Sequence, residues 1–284
     1  MTSTPESSTD ATTSGDGAVS EADSGVDVTL GNTLLSLRGV SKSFGPVQAI
    51  QNINLDIPAG KVTAVIGDNG AGKSTLIKTI AGIWTPSSGH IYWNGKEVHI
   101  HNPRESGELG IATVYQDLAL CDNLDIVQNL YLGNEPTKFG VLDEIKMELS
   151  TVQILKDLAV TTVKSVRQLV GSLSGGQRQA VAVARAITRE SKLVIMDEPT
   201  AALGVSQTAQ VVNLIQTLAS RGVAVIVISH NLTDVFEVAD RIAVMYLGSL
   251  VSSGPIENYD TGSAVDLITT GTSSRVPPTL APAQ

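Results

Sequence analysis

The sequence predicts an α/β fold: a mostly parallel sheet with helices on both faces, an N-terminal antiparallel β-subdomain and an inserted α-helical subdomain. Three observations carry this expectation. Five short aliphatic runs, VTAVIG, IATVY, LVIMD, VAVIVIS and IAVMY, are separated by helical stretches, the pattern of buried parallel strands. TLLSLRGVSKSF and INLDIP alternate apolar and polar residues, as half-buried strands do. Between about 117 and 172 the strand pattern stops and helical spacing takes over.

The chain has 284 residues, 42% of them hydrophobic and only 4% aromatic, which suits an aliphatic α/β core of one domain with a subdomain. Net charge is -9, and residues 1–27 carry six acids (Glu6, Asp10, Asp16, Glu21, Asp23, Asp27) with no Lys or Arg. Subtracting those six from -9 leaves about -3 on the remainder, close to balance. The leader is rich in Ser, Thr, Gly and Asp, cannot bury enough surface to offset chain entropy, and is expected to be disordered. It lacks the basic and apolar regions of a secretory signal. No Lys/Arg cluster provides a nucleic-acid footprint, and no run approaches the ~18 apolar residues of a spanning helix. The single cysteine, Cys121, excludes an internal disulfide. The expected organisation is a disordered acidic leader over 1–32, a folded domain over 33–262, and a tail over 263–284 whose last part is unstructured.

Taken in order, the first alternating segments predict a small antiparallel sheet, and HIYWNGKEVHI predicts a hairpin around Asn94-Gly95. His90, His99 and His101 crowd that hairpin without a Cys or carboxylate to complete a plausible metal set. In the insert, DIVQNLYLG and LDEIKMELSTVQILKDLAV have helical spacing with no strand between them. Ile145, Leu149, Val152, Leu155 and Leu158 predict the apolar stripe of the second helix.

The chemistry begins at VTAVIGDNGAGKSTLIKTIAGI, a strand, a glycine-rich turn and an amphipathic helix. Gly67, Gly72, Lys73 and Ser74 fit G-x-x-x-x-G-K-[ST], the phosphate-binding loop of P-loop NTPases. Gly67, Asp68, Asn69, Gly70, Ala71, Gly72, Lys73, Ser74 and Thr75 are therefore the candidate nucleotide cradle. Backbone N–H groups and the helix N-terminus favour phosphate there. Lys73 would reach the β- and γ-phosphates, and Ser74 would hold Mg²⁺. LVIMDEPT ends a buried strand in two acids: Asp197 suits the magnesium carboxylate, and Glu198 suits polarisation of the attacking water. Gln116 follows IATVY and His230 follows VAVIVIS, so strand ends bring Gly67, Gln116, Asp197, Glu198 and His230 to one sheet edge.

A second helix start, SLSGGQRQA, also suits phosphate. Ser174, Gly175, Gly176 and Gln177 offer exposed N–H groups and a hydroxyl. An N-cap explains Ser174 but not the glycine pair, which costs helix stability, so something must approach that backbone closely. On the helix itself, Ala180, Val183, Ala184 and Ile187 share one face, and Arg178, Arg185 and Arg189 project elsewhere.

In order and spacing, GDNGAGKST, YQD, LSGGQ, LVIMDEP and ISH resemble the Walker A loop, Q-loop, signature, Walker B and switch histidine of ATP-binding cassette (ABC) transporter ATPases. The likeness covers about residues 33–260. It implies a RecA-like P-loop core, ATP and Mg²⁺, with Ser74, Gln116 and Asp197 toward the metal and Lys73, Gln116, Glu198 and His230 toward hydrolysis. It also places Phe44 at the family's adenine-stacking position. The family's head-to-tail pairing explains the two helix starts: Ser174–Gln177 of one subunit would face the nucleotide held by another, in a homodimer or a hetero-pair. VYQDLALCDNLDIVQNLYLGNE and DEPTAALGV further resemble single-cassette importers of the fructose and ribose group. That likeness implies a membrane permease, an extracytoplasmic sugar-binding protein, and a place on the cytoplasmic face of the membrane. The alternative reading is a soluble ABC ATPase, as in cluster assembly. One position departs from the family: Gly204 stands where the D-loop usually carries Asp.

Overall fold

The computed structural model describes residues 32–188, 191–201 and 203–276. The disordered leader expected over 1–32 falls outside them but for its last residue. Strands β1 (Thr33–Phe44) and β2 (Val47–Pro58) form the first antiparallel hairpin. Strand β3 (Val62–Ile66), buried along its whole length, runs into the phosphate loop and helix α1 (Lys73–Ile80). Strands β4 (Ser88–Trp93) and β5 (Lys96–Val98) turn at Asn94-Gly95, and the first sheet has the order β2-β1-β4-β5. His90 and His101 on this subdomain each take a glutamate, Glu97 at 2.6 Å and Glu105 at 3.1 Å.

Helix α2 (Pro103–Leu109) starts with Asn102 capping Glu105 N–H and leads to β6 (Ile111–Val114). The insert follows, with α3 (Ile126–Tyr131), a short hairpin of β7 (Thr137–Lys138) and β8 (Val141–Leu142), and α4 (Glu144–Asp157). Helix α5 (Gly175–Ile187) leads to β9 (Leu193–Asp197), then come α6 (Val205–Ser220), β10 (Ala224–Ile228) and α7 (Leu232–Val238). Strands β11 (Arg241–Tyr246) and β12 (Ser249–Pro255) precede α8 (Thr261–Thr270). The second sheet has the order β12-β11-β3-β10-β9-β6, parallel except for the edge strand β12. All five aliphatic runs are its parallel strands, because runs dominated by aliphatic side chains can be covered on both faces.

Three expectations are corrected. The insert does contain strand, since β7 and β8 pair between its helices. On α4 the expected stripe is only half right: Leu155 and Leu158 are buried, but Ile145 is 75%, Leu149 67% and Val152 49% exposed. The inward row is Met147, Thr151 and Leu155, spaced by four. A flexible Met and a Thr whose hydroxyl donates to Met147 O at 2.8 Å fill the face turned toward α3 and α5. Finally, the tail boundary at 262 lies inside α8, whose Ala264 and Leu267 are buried in the main core and whose Asp260 cap forms a reciprocal pair with Ser263.

The insert is stapled by Arg167, whose guanidinium reaches Asp125 (3.3 Å), Glu144 (3.3 Å) and Glu148 (2.9 Å). Asp125 also caps α3. Asp125 is buried but Arg167 and the two glutamates are partly exposed, so the network is worth about 1 kcal/mol. R167M is expected to lower the melting temperature by about 3 °C in scanning calorimetry; an unchanged midpoint would remove the network from the stability of the fold.

Candidate functional site

The carboxyl ends of β3, β6, β9 and β10 open on a cleft of about 540 Å³ lined by Asn69, Gly70, Gly72, Lys73, Ser74, Thr75, Gln116, Asp197 and Glu198. Its floor follows from the backbone. Gly72 caps α1 with φ 99°, and a Cβ there would stand 2.7 Å from Ala49 O and 2.8 Å from Ile50 Cγ2. The loop therefore packs against β2 with no room for a side chain. Lys73 folds back over it, its Nζ donating to Gly67 O at 2.7 Å and Asp68 O at 2.9 Å. Burial lowers the Lys73 pKa, opposed by the charges of Glu198, Asp68 and Asp197.

On the opposite wall, burial pushes the Asp197 carboxyl up, Glu198 adds to the shift, and Lys73 and Lys78 oppose it. An electropositive group in the cleft would stabilise its ionised form. Glu198 has φ 50°, a left-handed backbone rare for a residue with a side chain. Its N–H donates to Ile228 O at 3.0 Å, tying the turn after β9 to β10. Its Oε2 lies 2.8 Å from His230 Nδ1, and the Glu198 side chain is only 18% exposed against 73% for His230. A strained backbone thus holds the Glu198 carboxylate at the cleft, facing an imidazole.

Ser174, Gly175, Gly176 and Gln177 do not line this cleft. Ser174 and Gln177 form a capping box, with Ser174 N–H donating to Gln177 Oε1 at 2.9 Å, while Gln177 Nε2 donates to Thr162 O at 2.7 Å. Side chains from the segment after β9 crowd the glycine pair. A Cβ on Gly175 would meet Leu203 Cδ2 at 2.7 Å, and one on Gly176 would meet Gln207 Cβ at 3.3 Å. What approaches that backbone within the described residues is Leu203, just before α6, and Gln207 and Gln210 on α6. Gly204, at the head of α6, has open space around it. Phe44 is 40% exposed, stacked edge-on against Trp84 at 5.2 Å, and is not a wall of the cleft.

Sequence patterns missed two groups of residues. Val47, Gln48, Ala49, Leu247 and Gly248 form the far wall of the cleft; they come from hairpins about 200 residues apart, and no local signal joins them. Arg178 and Arg185 do not simply project outward. Arg178 pairs with Asp122 at 2.7 Å, and Arg185 donates to Ala119 O (2.8 Å) and Leu118 O (3.1 Å), so α5 holds the segment after Gln116. Arg189 lies outside the described residues.

A phosphate loop, a half-buried acid at the end of β9, and a carboxylate–histidine pair beside it define a P-loop nucleoside-triphosphatase site. A sequence profile described as ABC transporter matches residues 50–201. The fructose import ATP-binding protein FrcA of Rhizobium meliloti is 44% identical over 243 residues, covering 83% of this chain and 94% of that protein. The xylose/arabinose import ATP-binding protein XylG of Sulfolobus acidocaldarius is 44% identical over 218 residues, covering 77% and 86%. The crystal structure of a nucleotide-free ATP-binding cassette from an ABC transporter superposes with TM-score 0.70 at 27% identity, covering 78% of this chain and 91% of that one. The chain belongs to the ABC transporter family, as one of its ATP-binding cassettes.

Proposed function

We propose that this chain is the ATP-hydrolysing subunit of a monosaccharide importer, working as a homodimer or hetero-pair beneath a membrane permease on the cytoplasmic face. The observation that carries the catalytic part is the Glu198–His230 pair at 2.8 Å, at the end of a cleft that also holds Lys73 and Asp197. The sugar cargo rests on the import proteins of fructose and of xylose/arabinose to which the chain is similar. No described helix is long and apolar enough to cross a membrane, so a permease would supply the channel.

Lys73 and the N–H groups of Gly70 to Thr75 would hold the β- and γ-phosphates, and Phe44 would have to leave its packing on Trp84 and turn toward the cleft to stack on adenine. The donor set fits magnesium: Ser74, Gln116 and Asp197 border one cleft, with few enough protein oxygens to leave positions for phosphate and water. Bound there, Mg²⁺ supplies charge neutralisation across the phosphates. Glu198 would orient and deprotonate the attacking water, with His230 holding its carboxylate. Ser174–Gln177 would complete the site of a second cassette.

Beside Gln116 lies a groove of about 290 Å³ whose lining includes Tyr115, Asp117, Leu118, Leu132 and Arg185. A cytoplasmic permease loop seated there would sense the Q-loop directly. Sugar would reach the permease from an extracytoplasmic binding protein. Uptake of labelled fructose, ribose and xylose tests the reading, in cells lacking this gene and in cells complemented with it. Loss of uptake of one sugar, restored by the gene, is expected. Unchanged uptake of all three, from a chain that hydrolyses ATP when purified, would remove the sugar cargo.

A further inference from the structure

The turn between β11 and β12 is Leu247-Gly248, with φ 44° and 83°. Positive φ at both central positions marks the type I′ hairpin turn. The chain builds the same turn between β4 and β5 from Asn94-Gly95, with φ 49° and 74°. Asn suits the left-handed region because its short polar side chain bonds locally, whereas Leu meets a steric penalty. Leu247 does not recover that penalty by burial, since it is 76% exposed. The turn Phe139-Gly140 between β7 and β8 has the same form, with φ 53° and 80° and Phe139 97% exposed, so what sets Leu247 apart is its place in the fold.

Its position is tightly set. Gly248 N–H donates to Ala71 O at 3.1 Å, and Gly248 O accepts from Gln51 N–H at 2.8 Å. A Cβ on Gly248 would come within 3.0 Å of Ala49 O. The turn is thus wedged between the phosphate loop and β2, and Leu247 lines the cleft with Val47 and Ala49. Val47 is itself 62% exposed. The remaining cleft walls carry Lys73, Gln116, Asp197 and Glu198. A nucleotide whose phosphates take the charged end presents its nucleoside to the apolar one.

We propose that Leu247 is a nucleoside-binding residue, closing with Val47 on the sugar and base of the bound nucleotide. The inference rests on the reading of this cleft as the ATP site. Calorimetric binding of ADP and of pyrophosphate, both with excess Mg²⁺, tests it on the parent chain, L247N and L247M. L247N keeps the turn chemistry of Asn94-Gly95 and should fold. It is expected to weaken ADP about fivefold through lost apolar contact, to leave pyrophosphate unchanged, and to raise the melting temperature by about 2 °C as strain is relieved. L247M should hold ADP within about twofold of the parent. Unchanged ADP affinity in L247N would overturn the assignment. So would an equal loss for both ligands, which would signal distortion of the phosphate loop through Gly248. A parent chain that binds neither ligand would instead overturn the reading of the cleft.

Discussion

E198Q lowers the rate of ATP hydrolysis by about 10²- to 10⁴-fold, while ATP affinity stays within a few fold. The factor is the usual contribution of a positioned general base. Gln keeps the shape of Glu198 and can still accept a hydrogen bond from His230, whose Nδ1 is 2.8 Å away, but it cannot take a proton from water. The affinity should survive because the phosphate loop is untouched and Lys73 remains bound to Gly67 O and Asp68 O. With turnover blocked, ATP should also hold two cassettes together, so the variant should elute as a dimer in gel filtration with ATP and as a monomer without it. Phosphate release, equilibrium nucleotide binding and the elution volume are the three measurements. Turnover at the parental rate would remove Glu198 from the base role. A variant that stays monomeric with bound ATP would undercut the head-to-tail pairing.

G72A abolishes nucleotide binding and destabilises the fold by about 3 kcal/mol. The methyl would stand 2.7 Å from Ala49 O and 2.8 Å from Ile50 Cγ2, at φ 99°. The carbonyl belongs to the backbone of β2 and cannot rotate away, so the whole phosphate loop must shift. A strained φ and an overpacked contact each cost about 1–3 kcal/mol. Gly70 is the control: its φ is 82°, but a methyl there would meet nothing within 4 Å. G70A should therefore cost about 1 kcal/mol, the strain alone. Urea denaturation and ATP binding decide. Equal effects of the two substitutions would show that steric approach of β2 does not shape the loop.

Much of the site was legible because its chemistry is written in short local patterns. A phosphate loop needs glycines and a lysine in one turn, and the strand ahead of it is a continuous aliphatic run, so Gly67 to Thr75 could be placed from sequence. Asp197, Glu198, Gln116 and His230 each follow such a run, and parallel strands must end on the same edge. The far wall was not legible, because Val47 and Leu247 meet only when β2 and the β11–β12 turn pack on the loop from opposite ends of the chain. The face of α4 misled for a related reason. Ile145, Leu149 and Val152 have the right period, but the partners α3 and α5 select the row of Met147, Thr151 and Leu155.

By itself, the sequence determined the five parallel strands, the phosphate loop, the acids at the end of β9, and the capping of α5. These rest on propensity and backbone chemistry within a few residues of each position. Tertiary structure alone decided that Glu198 takes a left-handed backbone to meet His230, and that the glycines of SLSGGQRQA lie under Leu203 and Gln207. It alone set an exposed leucine turn against the nucleotide cleft. Each of these depends on atoms from distant segments competing for the same space, and no local pattern carries that information.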